Sequence, residues 1–215
     1  MEAFYDALDL LSGMIRIPSF SREENDVADY LFSQWTKAGH KVNRAGNNLW
    51  IVAPGFELGK QTILLNSHID TVKPVAGWSK DPFAADAGED DRLYGLGSND
   101  AGASVVSLYE AFTILSKKSQ PSNLIFLASC EEEVSGKNGL ELALAELPPI
   151  HFAVVGEPTE MQPAVAEKGL MVLDCIALGK AGHAARNEGV NAILLAMKDI
   201  EWFTTYQFPE KSDFL

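Results

Sequence analysis

The 215 residues are 47% hydrophobic and 22% charged, enough apolar content for a packed core and too much for a disordered chain. A formal net charge of −13 with no basic stripe argues against a nucleic-acid partner, since like charges repel. No run of about eighteen apolar residues offers a membrane span. The acidic opening MEAFYDALDLL is unlike a secretion signal, and two widely separated cysteines, Cys130 and Cys175, suit a reducing cytoplasm.

In chain order, Phe4, Leu8, Leu11, Met14 and Ile15 recur at helical spacing, and Pro18 ends that helix. SREE then predicts a capping box, Ser21 as N-cap and Glu24 three residues on, opening a helix that runs to about Gly39. Two short strands follow, near 41–44 and 49–53. TILLNSHI is a near-continuous apolar strand of the kind covered on both faces of a sheet. The stretch KPVAGWSKDPFAADAGEDDRLYGLG is long and rich in Gly, Pro and Asp; a loop of that size in a compact domain is usually functional. AGASVVSLYEAFTILSKK predicts a helix with Val105, Leu108, Phe112 and Leu115 on one face. NLIFLASC, GLELALAEL and HFAVVGE then give strand, helix and strand, an alternation that predicts an α/β layer fold with a mostly parallel sheet.

After about Pro163 the texture changes. GLMVLDCIALG alternates like a strand, and GVNAILLAMKDIEWFTTY is an amphipathic helix. One strand and one helix cannot bury their own apolar faces, so this is read as the beginning of a second domain. The predicted division is 1–163 and 164–215.

Ligands in open α/β sheets bind beyond the carboxyl ends of the strands. Here those ends carry His68 and Asp70, then Glu131, Glu132 and Glu133, then Glu157, while Asp100 sits just before a helix. Each has an ordinary structural reading: a core histidine, a helix cap, a solvated turn. Together they are carboxylates crowded at one rim of a sheet, costly unless a cation neutralises them. Imidazole plus carboxylates without cysteine selects zinc or a similar borderline metal. Asp70, two residues from His68 on the same strand face, would accept from its second ring nitrogen and fix the tautomer.

With these residues in hand, the sequence resembles the di-zinc amidohydrolases, the family that includes acetylornithine deacetylase, succinyl-diaminopimelate desuccinylase, aminoacylase and glutamate carboxypeptidase. The matching stretches are SHIDTV, GLGSNDAGA, SCEEEVSGKNG, VVGEPT and GKAGHAA, in the family's order. The acetylornithine deacetylase branch is the most similar. The resemblance implies a catalytic domain followed by the beginning of an inserted, ferredoxin-like α+β lid. It also implies two Zn2+ ions per intact site, with Co2+ as a substitute. His68, Asp100 and Glu157 would bind one ion; Asp100 would bridge to a second, held also by Glu133. Glu132 would be the general base, Asp70 the orienting residue, and His183 the lid histidine that stabilises the oxyanion, often across a dimer. The family motif has Asp-Glu-Glu where this chain has Glu131-Glu132-Glu133. A shifted register, with Glu131 as base and Glu132 as ligand, therefore stays open. Family members usually carry Met-Lys-Gly after the bridging Asp; here the residues are Ala101-Gly102-Ala103.

The implied reaction is hydrolysis of an N-acyl amino acid of the N-acetyl- or N-succinyl-ornithine type, in a cytoplasmic homodimer serving amino-acid (arginine) biosynthesis. Two alternatives stand beside it: a related dipeptidase or carboxypeptidase, and a non-catalytic fragment that binds at most one metal. Family members continue further and return a histidine to the second metal, which His40 and His151 do not match. A serine hydrolase is disfavoured because no Gly-x-Ser-x-Gly elbow exists. A Cys130 nucleophile is disfavoured because neighbouring carboxylates raise a thiol's pKa. A phosphate loop at GLGSNDAGA is disfavoured because the third glycine and the Lys-Ser/Thr pair are missing.

Overall fold

The computed structural model describes residues 2–166, 169–183, 185–186 and 188–210. Ala184 of the GKAGHAA motif and the closing residues 211–215 lie outside the described set. The chain divides into two compact units, Met1–Met161 and Gln162–Leu215.

The first unit opens with helices α1 (Glu2–Ile15) and α2 (Asn25–Lys37). Strands β1 (Val42–Ala45), β2 (Asn48–Val52) and β3 (Thr62–His68) follow. The long polar stretch carries a small hairpin, β4 (Asp86–Ala87) with β5 (Leu93–Tyr94). Then come α3 (Ala103–Ser116), β6 (Asn123–Ser129), α4 (Leu140–Glu146) and β7 (Phe152–Val155).

Five strands form one mixed sheet in the order β1-β2-β6-β3-β7. β3 is parallel to both neighbours, β6 and β7, while β1 and β2 add an antiparallel edge. The parallel trio explains why TILLNSH and NLIFLAS lack alternation: helices cover both faces, so every position is buried or nearly so. On one face, α1, α2 and α3 pack Leu11, Leu31, Trp35, Val105 and Phe112 against Leu65, Phe126 and Ala128. Trp35 stacks on Tyr109 at 5.3 Å and meets Phe126 edge-on at 5.2 Å, the ring arrangements that aromatic quadrupoles favour. On the other face Trp50, Leu64, Ile125 and Leu127 meet Ala143 of α4.

Two local expectations are corrected. The capping box does not form: α2 starts one residue after Glu24, whose side chain makes no cap bond, and the Ser21 hydroxyl turns to Asp70 instead. A buried partner 49 residues away displaces the local one. Likewise, 169–179 forms no strand. Met171, Val172, Leu173 and Ile176 are exposed, and the nearest pairing is one isolated bridge, Lys180 with Val190. An alternating sequence makes a strand only beside another strand, and no neighbour pairs with it among the described residues. The amphipathic helix is present as α5 (Ala192–Thr205), capped by the Asn191 side chain, which accepts from the Ile193 N–H at 2.9 Å.

Candidate metal centre

The three parallel strands end at one rim, and each delivers its acid or imidazole there. β3 ends in His68. β6 runs through Ser129 and Cys130 into Glu131–Glu133. β7 runs through Gly156 into Glu157. Asp100 enters from the turn Ser98–Gly102 that leads into α3. That turn starts at Gly97, whose φ of +74° is left-handed, and a Cβ there would fall 2.7 Å from the Thr71 Cγ2.

His68, Asp100 and Glu157 converge: one donor atom from each lies within 4.8 Å of the others. The His68 Nε2 is 3.0 Å from the Asp100 Oδ1 and 3.8 Å from the Glu157 Oε2. Tetrahedral coordination at about 2.0–2.2 Å sets neighbouring donors about 3.3–3.6 Å apart. The observed pair distances bracket that spacing, so one divalent ion fits with small side-chain adjustments. Glu133 stands outside this trio among the described residues, although its carboxyl feels the charge of Asp100 and His68.

The electrostatics agree with a cation site. Burial alone lowers the pKa of the 2%-exposed His68 imidazole, but Asp70, Glu157 and Glu132 outweigh it and raise the value to about 9. Burial, then the neighbouring carboxylates, raises Glu157 and Glu133. The rim therefore stabilises positive charge and penalises its own negative charge, the field that a bound dication relieves.

Asp70 is fully buried and does more than the strand pattern implied. The His68 Nδ1 lies 2.9 Å from the backbone oxygen of Asp70 and 3.4 Å from its Oδ1. The nearer orienting partner of the ring is thus the Asp70 carbonyl, with the carboxylate behind it. The carboxylate itself accepts three bonds: from the Ser21 hydroxyl at 2.8 Å, the Glu132 N–H at 3.0 Å and the Glu133 N–H at 3.1 Å. Burial raises its pKa, yet the His68, Ser21 and backbone bonds prevail and hold it below the usual aspartate range. Asp70 so ties the imidazole and the acidic turn to one anchor.

The acidic turn sorts its three glutamates. Glu131 adopts left-handed backbone (φ 54°), costly for a side chain bearing a Cβ. Its buried carboxylate accepts from the Asn138 side chain at 2.9 Å and packs where a Cβ on Gly136 would collide with it. That leaves Glu132 exposed and Glu133 half-buried. Glu132, Glu157, His68 and Leu140 line a cleft of about 370 Å³.

Three positioning residues escaped the sequence reading because their partners are distant in the chain. Ser21 reaches Asp70 across 49 residues. The fully buried Glu24 accepts the Glu131 N–H at 3.2 Å across 107 residues, and so braces the left-handed turn. Ser67, next to His68, donates to the Gly156 carbonyl at 2.8 Å and holds the loop that bears Glu157. Of the other histidines, His40 packs against Tyr109 and Phe112, and the His151 Nδ1 accepts from the Thr62 N–H at 3.1 Å; neither belongs to the cluster. His183, in the second unit, is exposed and accepts the Ala185 N–H at Nδ1.

Cys130 is buried, and burial followed by Glu24 and Glu131 pushes its thiol up to about 12. At pH 8 its thiolate fraction is then on the order of 10⁻⁴. Iodoacetamide at that pH should label the exposed Cys175 and spare Cys130 until denaturant is added, as read by peptide mass spectrometry. Equal labelling of both in the folded protein would contradict this burial.

Among the described residues no helix is long and apolar enough to cross a membrane. The sequence matches the model of Peptidase family M20/M25/M40 over residues 64–209. An acetylornithine deacetylase of Proteus mirabilis (strain HI4320) is 34% identical over 149 residues, covering 68% of this chain and 38% of that protein. A tripeptidase of Staphylococcus aureus superposes with a TM-score of 0.63 at 22% identity, covering 91% of this chain and 55% of that one. The Bacillus subtilis YXEP protein, a dinuclear metal binding peptidase, superposes with a TM-score of 0.55 at 14% identity, over 72% and 42%. This chain spans little more than half of the longest-covered of these relatives. The family match runs from the strand that bears His68 through the acidic turn and Glu157 into the second unit, and by that match the chain belongs to Peptidase family M20/M25/M40.

Proposed function

We propose that the rim is the metal centre of an amidohydrolase that cleaves the amide bond of an N-acyl amino acid, releasing a carboxylate and the free amino acid. The observation that carries this is the convergence of His68, Asp100 and Glu157, two of which, His68 and Glu157, line one cleft with Glu132. Zinc is the ion that this imidazole–carboxylate set suits, and Asp100 and Glu133 are the residues that would hold a second. A bound dication supplies Lewis acidity, lowering the pKa of water and polarising an acyl carbonyl.

The remaining work falls to the chain's own residues. Glu132 accepts the proton of the attacking water and returns it to the leaving amine. Its backbone N–H on Asp70 fixes where the carboxylate starts from, and among the described residues its side chain makes no hydrogen bond. The engagement of Glu131 with Asn138 supports Glu132 rather than Glu131 as the base. Asp70 keeps the His68 ring and the acidic turn in register. The Nδ1 of His183 accepts a backbone N–H, so a neutral ring carries its proton on Nε2, ready to donate to an oxyanion. In this reading residues 1–163 hold the site and 164–215 begin the lid through which two copies pair. The exposed Leu194, Met197 and Trp202 of α5 support that pairing. The N-acetylornithine substrate follows the name of the Proteus relative, and the place in arginine synthesis and the cytoplasmic setting are carried over from the family resemblance of the sequence.

Adding zinc to metal-free protein should raise its Tm, because a ligand that binds only the folded state stabilises by about 2.7 kcal/mol at 100 times its Kd. Elemental analysis should give one to two zinc ions per chain. One ion with no turnover favours the second reading, a non-catalytic fragment that binds at most one metal, consistent with Glu133 lying outside the compact trio. No bound zinc at micromolar metal rules out the centre.

A further inference from the structure

The Glu24 side chain is 0% exposed, yet helix α2, which starts one residue later, does not use it as a cap. A buried carboxylate is costly unless donors meet its oxygens. Glu24 Oε1 accepts the Arg22 N–H at 2.7 Å and the Glu131 N–H at 3.2 Å, and Oε2 accepts from the Asn47 side chain at 3.1 Å. The next two N–H groups of the acidic turn go to the other buried carboxylate, Glu132 to Asp70 Oδ1 at 3.0 Å and Glu133 to Asp70 Oδ2 at 3.1 Å. Three consecutive amides thus converge on two carboxylates. The left-handed Glu131, followed by the short helical turn Glu132–Val134, is a backbone form that turns successive N–H groups inward as an anion nest. Residues 19–24 also run beside the segment that follows β3. The Thr71 N–H donates to the Ser19 carbonyl at 2.8 Å, and the Ser21 N–H to the Thr71 carbonyl at 3.2 Å. One loop therefore sets both anchors, Ser21 on Asp70 and Glu24 on the turn.

We propose that Glu24 is a positioning residue for hydrolysis, which aims the Glu132 carboxylate through the backbone of the acidic turn and takes no part in holding the ion of His68, Asp100 and Glu157. Asp70 cannot separate these two roles, because it touches the His68 ring as well as the turn. Glu24 can. Within the turn it bonds to Glu131, and among the described residues it neither belongs to the converging donors nor lines the cleft. Release of the Glu131 N–H lets the left-handed residue relax, which rotates the peptide leading into Glu132. A general base works only within hydrogen-bond reach of its water, and a displacement of about 1 Å costs on the order of 10²-fold. What the turn needs from Glu24 is an acceptor at the reach of Oε1, and its charge is secondary. The inference rests on the amidohydrolase reading for the role of Glu132, and on the hydrogen bonds for the role of Glu24.

The test compares E24D, which keeps the charge but draws the oxygens back by one methylene, with E24Q, which keeps an oxygen at the reach of Oε1 and loses the charge. In the intact enzyme, with N-acetylornithine as substrate, E24D should lower kcat about 10–100-fold per folded molecule, with KM within about threefold of the wild type. Zinc affinity should stay within about threefold in both variants, since no metal donor is touched. E24Q should keep kcat within about threefold of the wild type, because the Arg22 and Glu131 N–H groups retain their acceptor and only the Asn47 carboxamide has to turn. Hydrogen exchange followed by NMR on the 215-residue chain reads the turn without turnover. The Glu131 amide should exchange about tenfold faster in E24D and near the wild-type rate in E24Q, with the amides of β6 unchanged in both. Wild-type kcat in folded E24D, an equal loss of kcat in E24Q, weakened zinc binding in E24D, or wild-type exchange at Glu131 in E24D would each overturn the proposal. The first outcome, joined to a lower Tm, would mark Glu24 as a structural residue only. A wild type that binds no zinc and cleaves no N-acyl amino acid would defeat the hydrolase reading and this role with it, whereas unaltered kcat in E24D beside an active wild type defeats this role alone.

Discussion

Replacing Glu132 by Gln is expected to lower turnover of an N-acyl amino acid by about 10²–10⁴-fold in the intact enzyme, with zinc content unchanged. The size follows from what a general base contributes: it removes a proton during attack and returns it to an amine that leaves poorly as an anion. The selectivity follows from geometry. Glu132 is exposed in the cleft, is not one of the three converging donors, and meets Asp70 only through its backbone N–H. Changing its carboxylate to a carboxamide keeps that backbone bond and the shape of the turn, so the ion should stay. The companion E131Q change should act differently. Glu131 is buried and spends its carboxylate on Asn138, so this variant should lose stability while keeping most of its turnover per folded molecule. If E132Q retained full turnover while E131Q lost it, the register would shift by one, with Glu131 as base.

Asp70→Ala should have the largest effect on stability. The side chain is fully buried and accepts from the Ser21 hydroxyl and from the backbone N–H groups of Glu132 and Glu133. Its removal strands three donors and leaves a cavity, at a cost of about 3–5 kcal/mol. For a chain of this size that corresponds to a fall in Tm of about 10 °C or more. The same loss frees the acidic turn and one support of the His68 ring, so zinc affinity should fall by about 10–100-fold, the usual effect of removing a partner behind a metal ligand. S21A is the graded control: it removes one of the three donors, and should cost about 1 kcal/mol with little change in zinc binding. Thermal melts with and without zinc read both quantities. An Asp70→Ala variant that melts like the wild type would show that the turn is held by other contacts.

Much of the site was legible in the chain order of its residues. His68, Asp100, Glu132, Glu133 and Glu157 each sit at a strand end or before a helix. Apolar runs of TILLNSH and NLIFLAS type announce a parallel sheet whose carboxyl rim gathers whatever follows each strand. The helix–strand alternation over residues 1–163 was equally readable, since hydrophobic period and glycine breaks are local signals. The capping box was misread because Ser21 and Glu24 satisfy the local rule in sequence and a distant one in space. The strand expected at 169–179 failed because alternation states only that a strand is permitted, and pairing supplies the rest.

Residue types and order by themselves determined the α/β class and the set of metal-type donors at the strand ends. Only the tertiary structure decided which donors meet. It gathered His68, Asp100 and Glu157 within 4.8 Å and turned the Glu131 carboxylate away to Asn138. The physical reason is range. Periodicity, capping and turn preferences act over a few residues and are written locally, whereas the bonds that orient this site join Ser21 to Asp70, Glu24 to Glu131 and Ser67 to Gly156. Those partners become neighbours only once the sheet has formed.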